Sequence, residues 1–175
     1  LFEIPEDIVY LNCAYMSPLL RSVRVAGERA VARKSQPWNI RPQDFFEESE
    51  IARHLFAELI KADSEGVALI PSASYGINVA ATNLLIEKSQ RILLLEGEFP
   101  SNVYGWYELA KRSGAIVQTA KRPQDSDWTR AILEQIDDQT GIVALPHCHW
   151  TDGSLVDLQQ VSRRVREVGA AFVVD

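Results

Sequence analysis

Three short stretches of this sequence carry residue types that suit the binding of a small ligand. Ser72–Ser74 are small enough to let a phosphate approach backbone N–H groups at the start of a helix, where the helix dipole also favours an anion. Phe99 offers an aromatic face on which a flat ring can stack. Asp175 follows the apolar residues Phe172–Val174, and an acid at the edge of a buried region pairs with a cation, for example a protonated pyridine nitrogen.

Each of these signals also has a purely structural explanation. A Ser-Ala-Ser segment is an ordinary start for a helix, Phe99 can belong to the core, and Asp175 can cap a helix or bind a metal. His147 and His149 flank Cys148 at a spacing that metal sites use, but no further Cys or His cluster stands nearby in the sequence, which does not favour a metal site. Which of these explanations holds depends on the elements that position these residues.

Five short apolar runs predict those elements. Near-continuous apolar strands are typical of parallel sheets, which are buried on both faces. Their spacing along the chain fits βαβ units, with a helix between successive strands. In open sheets of this kind ligands bind at the carboxyl ends of the strands, which is where the three stretches stand. The predicted strands are Val67–Ile70, Arg91–Leu95, Ala115–Thr119, Gly141–Leu145 and Ala171–Val174.

Two longer helical stretches precede the predicted sheet, over residues 20–35 and 42–60, with a proline-containing loop between them. The sequence therefore predicts an N-terminal arm with helices over residues 1–62 and the first part of an open, mostly parallel α/β domain over residues 63–175. The helices predicted between the strands are Ser74–Ile86, Ser101–Ser113, Asp127–Ile136 and Asp157–Val168.

Composition narrows the class of protein. The 175 residues carry a formal net charge of −6, whereas a nucleic-acid-binding protein normally shows a basic face. No apolar run is long enough to span a bilayer, and the N-terminus lacks the pattern of a signal peptide. Two cysteines cannot build a disulfide framework, so a cytoplasmic setting is expected. The absence of an initiator methionine and the apolar run that ends in Asp175 suggest a fragment of a longer chain.

Five motifs, in order along the chain, resemble the class V aminotransferase family of pyridoxal-phosphate-dependent enzymes. Tyr10–Ala14 resembles the N-terminal segment Y-L-(D/N)-x-A, and Ser72–Ser74 stands in the place of the G-A-T phosphate-binding turn. Glu98–Asn102 is similar to the motif of the second strand, whose His or Phe stacks on the pyridine ring. His147–Gly153, with the residues that follow up to Leu158, resembles the segment H-x-x-x-x-x-G-x-x-x-(D/P)-L. Val173–Asp175 resembles V-V-D.

The resemblance implies the fold of the type I pyridoxal-phosphate enzymes, a large cofactor-binding domain and pyridoxal 5'-phosphate as the cofactor. Asp175 is the implied catalytic residue, because its carboxylate keeps the pyridine nitrogen protonated and so strengthens the cofactor as an electron sink. Trp150 departs from the pattern, since it stands where cysteine desulfurases place an Asn against the ring oxygen. The implied cofactor-binding residues are Ser72, Ala73, Ser74, Phe99, Trp150 and Asp175.

The resemblance also implies an amino-acid substrate, a homodimer in the full-length protein, and a transferase or lyase reaction. None of the lysines in this sequence stands at the family's Schiff-base position, so this stretch of chain is expected to be inactive alone. Phe99 followed by Pro100 resembles kynureninases and epimerases, whereas desulfurases have His at the stacking position. A kynureninase-like hydrolase or an isopenicillin N epimerase-like enzyme is therefore the alternative. A non-catalytic α/β binding module is the alternative of another class, although the Gly-rich loop it would need is not present.

Overall fold

The computed structural model describes residues 1–13 and 16–175. The chain forms two compact units, Leu1–Leu69 and Ile70–Asp175. The predicted boundary between arm and sheet, after residue 62, falls within the first unit and stays a prediction. Among the residues described, no helix is both long enough and apolar enough to cross a membrane.

The first unit is helical, as the sequence predicts. Helix α1 spans Arg21–Arg33 and helix α2 spans Glu47–Ile60. The loop between them contains two short 3-10 turns that begin with proline, Pro37–Asn39 and Pro42–Phe45. Proline fits the first position of such a turn because its missing N–H would have no partner there.

The strand predicted at Val67–Ile70 is wrong. This segment makes no ladder with any of residues 1–13 or 16–175. Its first residue belongs instead to the end of a 3-10 turn, where the Val67 N–H donates to the Ser64 carbonyl and the Val67 carbonyl accepts from Arg53 Nε at 2.7 Å. An apolar run becomes a strand only when a neighbour pairs with its backbone, and sequence hydrophobicity does not supply that neighbour.

The second unit confirms the predicted open α/β sheet. Four strands, all parallel, lie in the order β2-β1-β3-β4. Their bounds differ from the predicted ones by at most one residue, because each run is apolar enough to be buried on both faces. The strands are β1 (Arg91–Leu95), β2 (Ile116–Ala120), β3 (Thr140–Leu145) and β4 (Ala171–Val174).

Helices cover both faces of this sheet. Ile92 and Leu94 point to one face and pack with helices α3 (Ala73–Asn83) and α4 (Tyr104–Ser113). Leu93 and Leu95 point to the other face and pack with α5 (Trp128–Leu133) and α6 (Leu158–Glu167). The alternation follows from the two-residue period of a strand. Each face therefore has its own apolar core.

Local sequence fixes the ends of these helices. Ser72 caps α3, and its Oγ accepts from the Tyr75 N–H at 3.2 Å. Asp127 and Asp157 cap α5 and α6 in the same way, as Asp127 was predicted to do. Gly114 ends α4 with a φ of 78°, a conformation that glycine adopts without strain.

The strand order places a switch point between β1 and β3. The chain leaves β1 towards β2 on one side, and then continues from β3 to β4 on the other. At such a reversal the loops after the two central strands diverge and leave a crevice outside the carboxyl ends. The residues that follow β1, β3 and β4 are therefore the ones to examine.

Candidate active site at the carboxyl ends of the strands

The turn after β1 presents Phe99. Gly97 has a φ of 70°, which lets the chain reverse directly after Glu96. The buried Glu98 carboxylate then accepts from the N–H of Phe99 at 2.6 Å and holds the backbone of this residue in place. Phe99 itself is half-buried and stands at the N-cap of the 3-10 turn Pro100–Asn102.

The loop after β3 brings Trp150 to Phe99. The two rings meet edge to face, with centroids 5.4 Å apart and planes at 88°. The indole Nε1–H of Trp150 donates to the Gly97 carbonyl at 2.8 Å. About half of the Trp150 side chain stays exposed, so a ligand can reach it. Two of the predicted site residues are thus in contact, although they are far apart in sequence.

The N-terminus of α3 lies beside the same turn. Ser74 Oγ donates to Ser101 Oγ at 3.1 Å, and Ser101 belongs to the 3-10 turn that follows Phe99. Ser72 and Ala73 are exposed at the first positions of the helix. The first N–H groups of a helix have no partner within it, so this end can bind an anion. The predicted phosphate-binding residues and Phe99 therefore belong to neighbouring turns.

Asp175 follows β4, and its backbone N–H donates to the Leu145 carbonyl at 3.0 Å. This bond continues the pairing of β4 with β3 and places Asp175 at the carboxyl end of the sheet. Although Asp175 is exposed, partial desolvation by the surrounding protein raises the pKa of its carboxyl. A carboxylate in this condition gains more from a nearby cation than a fully hydrated one does.

A second acid, Glu98, was not singled out from the sequence. Burial raises the pKa of its carboxyl, and the negative charge of Asp175 raises the pKa further. The buried Oε2 atom of Glu98 has no hydrogen-bond partner among the described residues, and the same holds for Nδ2 of Asn102. Asn102 Oδ1 accepts from the indole of Trp106 at 3.2 Å. Asn102 and Trp106 are four residues apart, a spacing at which side chains meet on a helix, but they were not singled out from the sequence as a pair.

His147, Cys148 and His149, whose spacing is one that metal sites use, differ in their surroundings. His149 is fully buried and stacks on Trp128, with ring centroids 4.9 Å apart, whereas His147 and Cys148 are exposed. The N-terminal motif belongs to the first unit, where Tyr10 Oη donates to the Met16 carbonyl at 2.6 Å. Ala14, the last residue of that motif, lies outside the described residues.

Known proteins resemble this chain in sequence. The sequence is 26% identical over 128 residues to a probable cysteine desulfurase of Mycoplasma genitalium, which covers 71% of this chain and 31% of that protein. It is 26% identical over 181 residues to the isopenicillin N epimerase of Streptomyces clavuligerus, which covers 98% of this chain and 44% of that enzyme. The chain therefore spans less than half the length of these relatives.

A solved structure has the same fold. A mutant of the protein C-DES with glycine covalently linked to its pyridoxal-phosphate cofactor superposes with a TM-score of 0.80 at 18% identity, over 97% of this chain and 46% of C-DES. The family described as Aminotransferase class-V matches residues 32–175, which is most of the chain and includes all the strands and every predicted cofactor-binding residue. The chain belongs to the class V aminotransferase family.

Proposed function

We propose that this chain forms part of the cofactor site of a pyridoxal-phosphate-dependent enzyme that acts on an amino acid. The observation that carries the proposal is the meeting of Phe99, Trp150 and the N-terminus of α3 around one turn at the switch point of the sheet. Asp175 supplies an acid at the carboxyl end of the same sheet. The family to which the chain belongs supports this proposal.

The residues present fit pyridoxal phosphate. Ala73 and Ser74 offer backbone N–H groups and a hydroxyl to the phosphate, and the side chain at position 73 is too small to block it. Phe99 and Trp150 offer aromatic surface to the ring. Asp175, with its raised pKa, offers a carboxylate whose partial desolvation a cation would offset. Anion site, aromatic surface and acid are the three features that a flat, phosphorylated pyridine requires.

When bound, the cofactor supplies an electron sink for charge that develops at the Cα atom of an amino acid. The residues of this chain bind and orient it. The N-terminus of α3 would hold the phosphate, Phe99 and Trp150 would orient the ring, and Asp175 would keep a proton on the ring nitrogen. By holding that proton, Asp175 would keep the ring able to accept negative charge that develops at the substrate Cα atom, which would lower the barrier.

Phe99 bears on the type of reaction. Its ring has no proton to transfer, so acid–base chemistry at this position, which a histidine would provide, is not proposed here. We propose a transferase or lyase reaction, with a kynureninase-like hydrolase or an isopenicillin N epimerase-like enzyme as the second candidate. The match to the epimerase over nearly the whole chain favours that second candidate.

Four further parts of the proposal concern the whole protein. We propose that it is a cytoplasmic homodimer, that its Schiff-base lysine lies outside residues 1–175, and that these residues alone do not turn over substrate. A non-catalytic α/β binding module is the competing proposal. Finding a lysine that borohydride links to pyridoxal phosphate in the full-length protein, by mass spectrometry, separates the two, because a non-catalytic module has none.

The test of the site is Asp175→Asn in the full-length protein. This change keeps the shape of the side chain and removes its charge, so we expect turnover to fall at least about a hundredfold, with a smaller loss of cofactor affinity. Asp175→Glu should keep more activity than Asp175→Asn. Steady-state kinetics at saturating cofactor give the measurement, with a thermal melt to confirm folding.

Asp138→Asn is the matched control, because Asp138 is an exposed acid beside the amino end of β3, at the opposite edge of the sheet. Turnover by Asp175→Asn at close to the parent rate would show that Asp175 takes no part in the chemistry.

A further inference from the structure

Two neighbouring side chains of the loop after β3 bind two neighbouring carbonyl groups of the turn after β1. His149 Nε2 lies 3.0 Å from the Glu96 carbonyl oxygen, and Trp150 Nε1 lies 2.8 Å from the Gly97 carbonyl oxygen. Both bonds cross the switch point, between segments more than fifty residues apart in sequence. Two hydrogen bonds thus connect the loop that carries Trp150 to the turn after β1.

The surroundings of His149 define which ring nitrogen donates. A carbonyl oxygen only accepts, so Nε2 carries the hydrogen that binds Glu96. Nδ1 then accepts, and the donors that face it are Thr151 Oγ1 at 2.9 Å, the Thr151 backbone N–H at 3.4 Å and Arg122 Nη2 at 3.4 Å. The ring therefore uses both nitrogen atoms, each in a different role.

Packing fixes the ring plane of His149. The imidazole is fully buried and lies nearly parallel to the Trp128 indole, with 7° between the planes. The Arg122 guanidinium lies 5.5 Å from the centre of the same indole and forms an ion pair with Asp152, in the loop that follows His149. Because its ring plane and both ring nitrogens are fixed, His149 has one orientation. The backbone of Trp150, the next residue, is therefore also held in place.

We propose that His149 is a positioning residue for the site. Through the bond from its Nε2 to the Glu96 carbonyl, His149 holds Trp150 against Phe99. This inference rests on the proposed function only for its effect on cofactor binding, because the position of Trp150 can be measured without cofactor. The ring of His149 is buried and does not itself touch a ligand.

Two substitutions separate the roles of the two nitrogens. His149→Gln puts an amide N–H near the place of Nε2 and keeps the bond to Glu96, while it loses the acceptor at Nδ1. His149→Asn keeps an acceptor near the place of Nδ1 and is too short to reach Glu96. Both lose the stacking on Trp128, and each keeps the role of one nitrogen, so the pair shows which of the two roles holds Trp150 in place.

The readouts are the indole N–H resonance of Trp150 and the affinity for pyridoxal phosphate, both in the full-length protein. Labelled tryptophan and the variant Trp150→Phe assign the resonance. We expect His149→Asn to shift the Trp150 resonance, to expose its N–H to faster solvent exchange, and to weaken cofactor binding about tenfold, as for the loss of one buried hydrogen bond. His149→Gln should restore most of both.

The outcomes distinguish this inference from the function on which it builds. If His149→Asn and His149→Gln leave the Trp150 resonance as in the parent, or disturb it equally, the positioning role is wrong. If His149→Asn alone moves Trp150 and cofactor affinity does not change, His149 positions Trp150 but the proposed cofactor role of Trp150 fails. If neither the parent protein nor any variant binds pyridoxal phosphate, the proposed function is wrong. The test of Trp150 by its resonance still applies in that case.

Discussion

The two units of this chain differ in how many apolar side chains they bury. Residues 70–175 bury apolar side chains on both faces of a sheet, in two separate clusters. Among the described residues of Leu1–Leu69, only Ala57 is buried. Apolar side chains on α2 such as Leu55 and Leu59 stay more than half exposed. The comparison shows that predicted helices form in both units, whereas a close-packed interior forms only where a sheet provides two faces.

Ion pairs form in both units, but among the described residues of the first they are not accompanied by a cluster of buried apolar side chains. Arg53 donates to the Val67 and Ser64 carbonyls and pairs with Glu50. Exposed ion pairs of this kind contribute little each, about 0–1 kcal/mol. Burial of apolar side chains therefore stabilises the unit that carries the candidate site more than the other unit. This suits a site that must hold its residues in fixed positions.

The largest expected effect tests this difference with matched tryptophans. Trp106 is fully buried in the second unit, and Trp38 in the first is 77% exposed. Trp106→Ala should lower the free energy of unfolding by about 3–5 kcal/mol, because it leaves a cavity and removes the bond to Asn102. Trp38→Ala should change it by less than about 0.5 kcal/mol. Urea unfolding gives both values, and a large effect of Trp38→Ala would show that this residue is covered in the full-length protein.

The sequence predicted most of the second unit and part of its site. The strands followed from apolar runs, and Phe99 and Trp150 were predicted as cofactor-binding residues that follow strands, but their contact with each other was not predicted. The burial of Glu98 and the stacking of His149 on Trp128 could not be predicted, since they depend on the path of loops that periodicity does not determine. The wrong strand at 67–70 has the same origin, because pairing depends on a partner elsewhere.

Glu98 in the second unit and Asp44 in the first should contribute to stability with opposite dependence on pH. In the second unit, burial raises the pKa of Glu98. The native state then binds more protons than the unfolded state above the ordinary Glu pKa of about 4.3, so stability falls as pH rises from there through the raised pKa. Glu98→Gln should remove this fall.

In the first unit the sign is reversed. The backbone N–H of Arg41, with its side chain, holds the pKa of Asp44 below its ordinary value. This contribution is present above the ordinary Asp pKa of about 3.9 and is lost as pH falls through the lowered pKa. Unfolding of Glu98→Gln and Asp44→Asn at a series of pH values measures both. The same trend in the two variants would contradict the contrast.

The smallest expected effect concerns Phe99, which lies in the well-packed unit but outside its cores. Stacking on a ring is worth about 0.5–1.5 kcal/mol beyond the area buried, so Phe99→Ala should weaken cofactor binding by roughly tenfold or less. The fold should survive, because Phe99 is half-buried and Glu98 holds its backbone N–H, which alanine keeps. Phe99→His restores an aromatic face and should restore binding, while Tyr104→Ala, a change at an exposed aromatic residue of α4, is the control. Cofactor titration and urea unfolding give the two measurements. Phe99→Ala could instead destabilise the protein as much as Trp106→Ala does, with no rescue of binding by Phe99→His. Phe99 would then be a core residue, and the cofactor would bind further from β1 than Phe99.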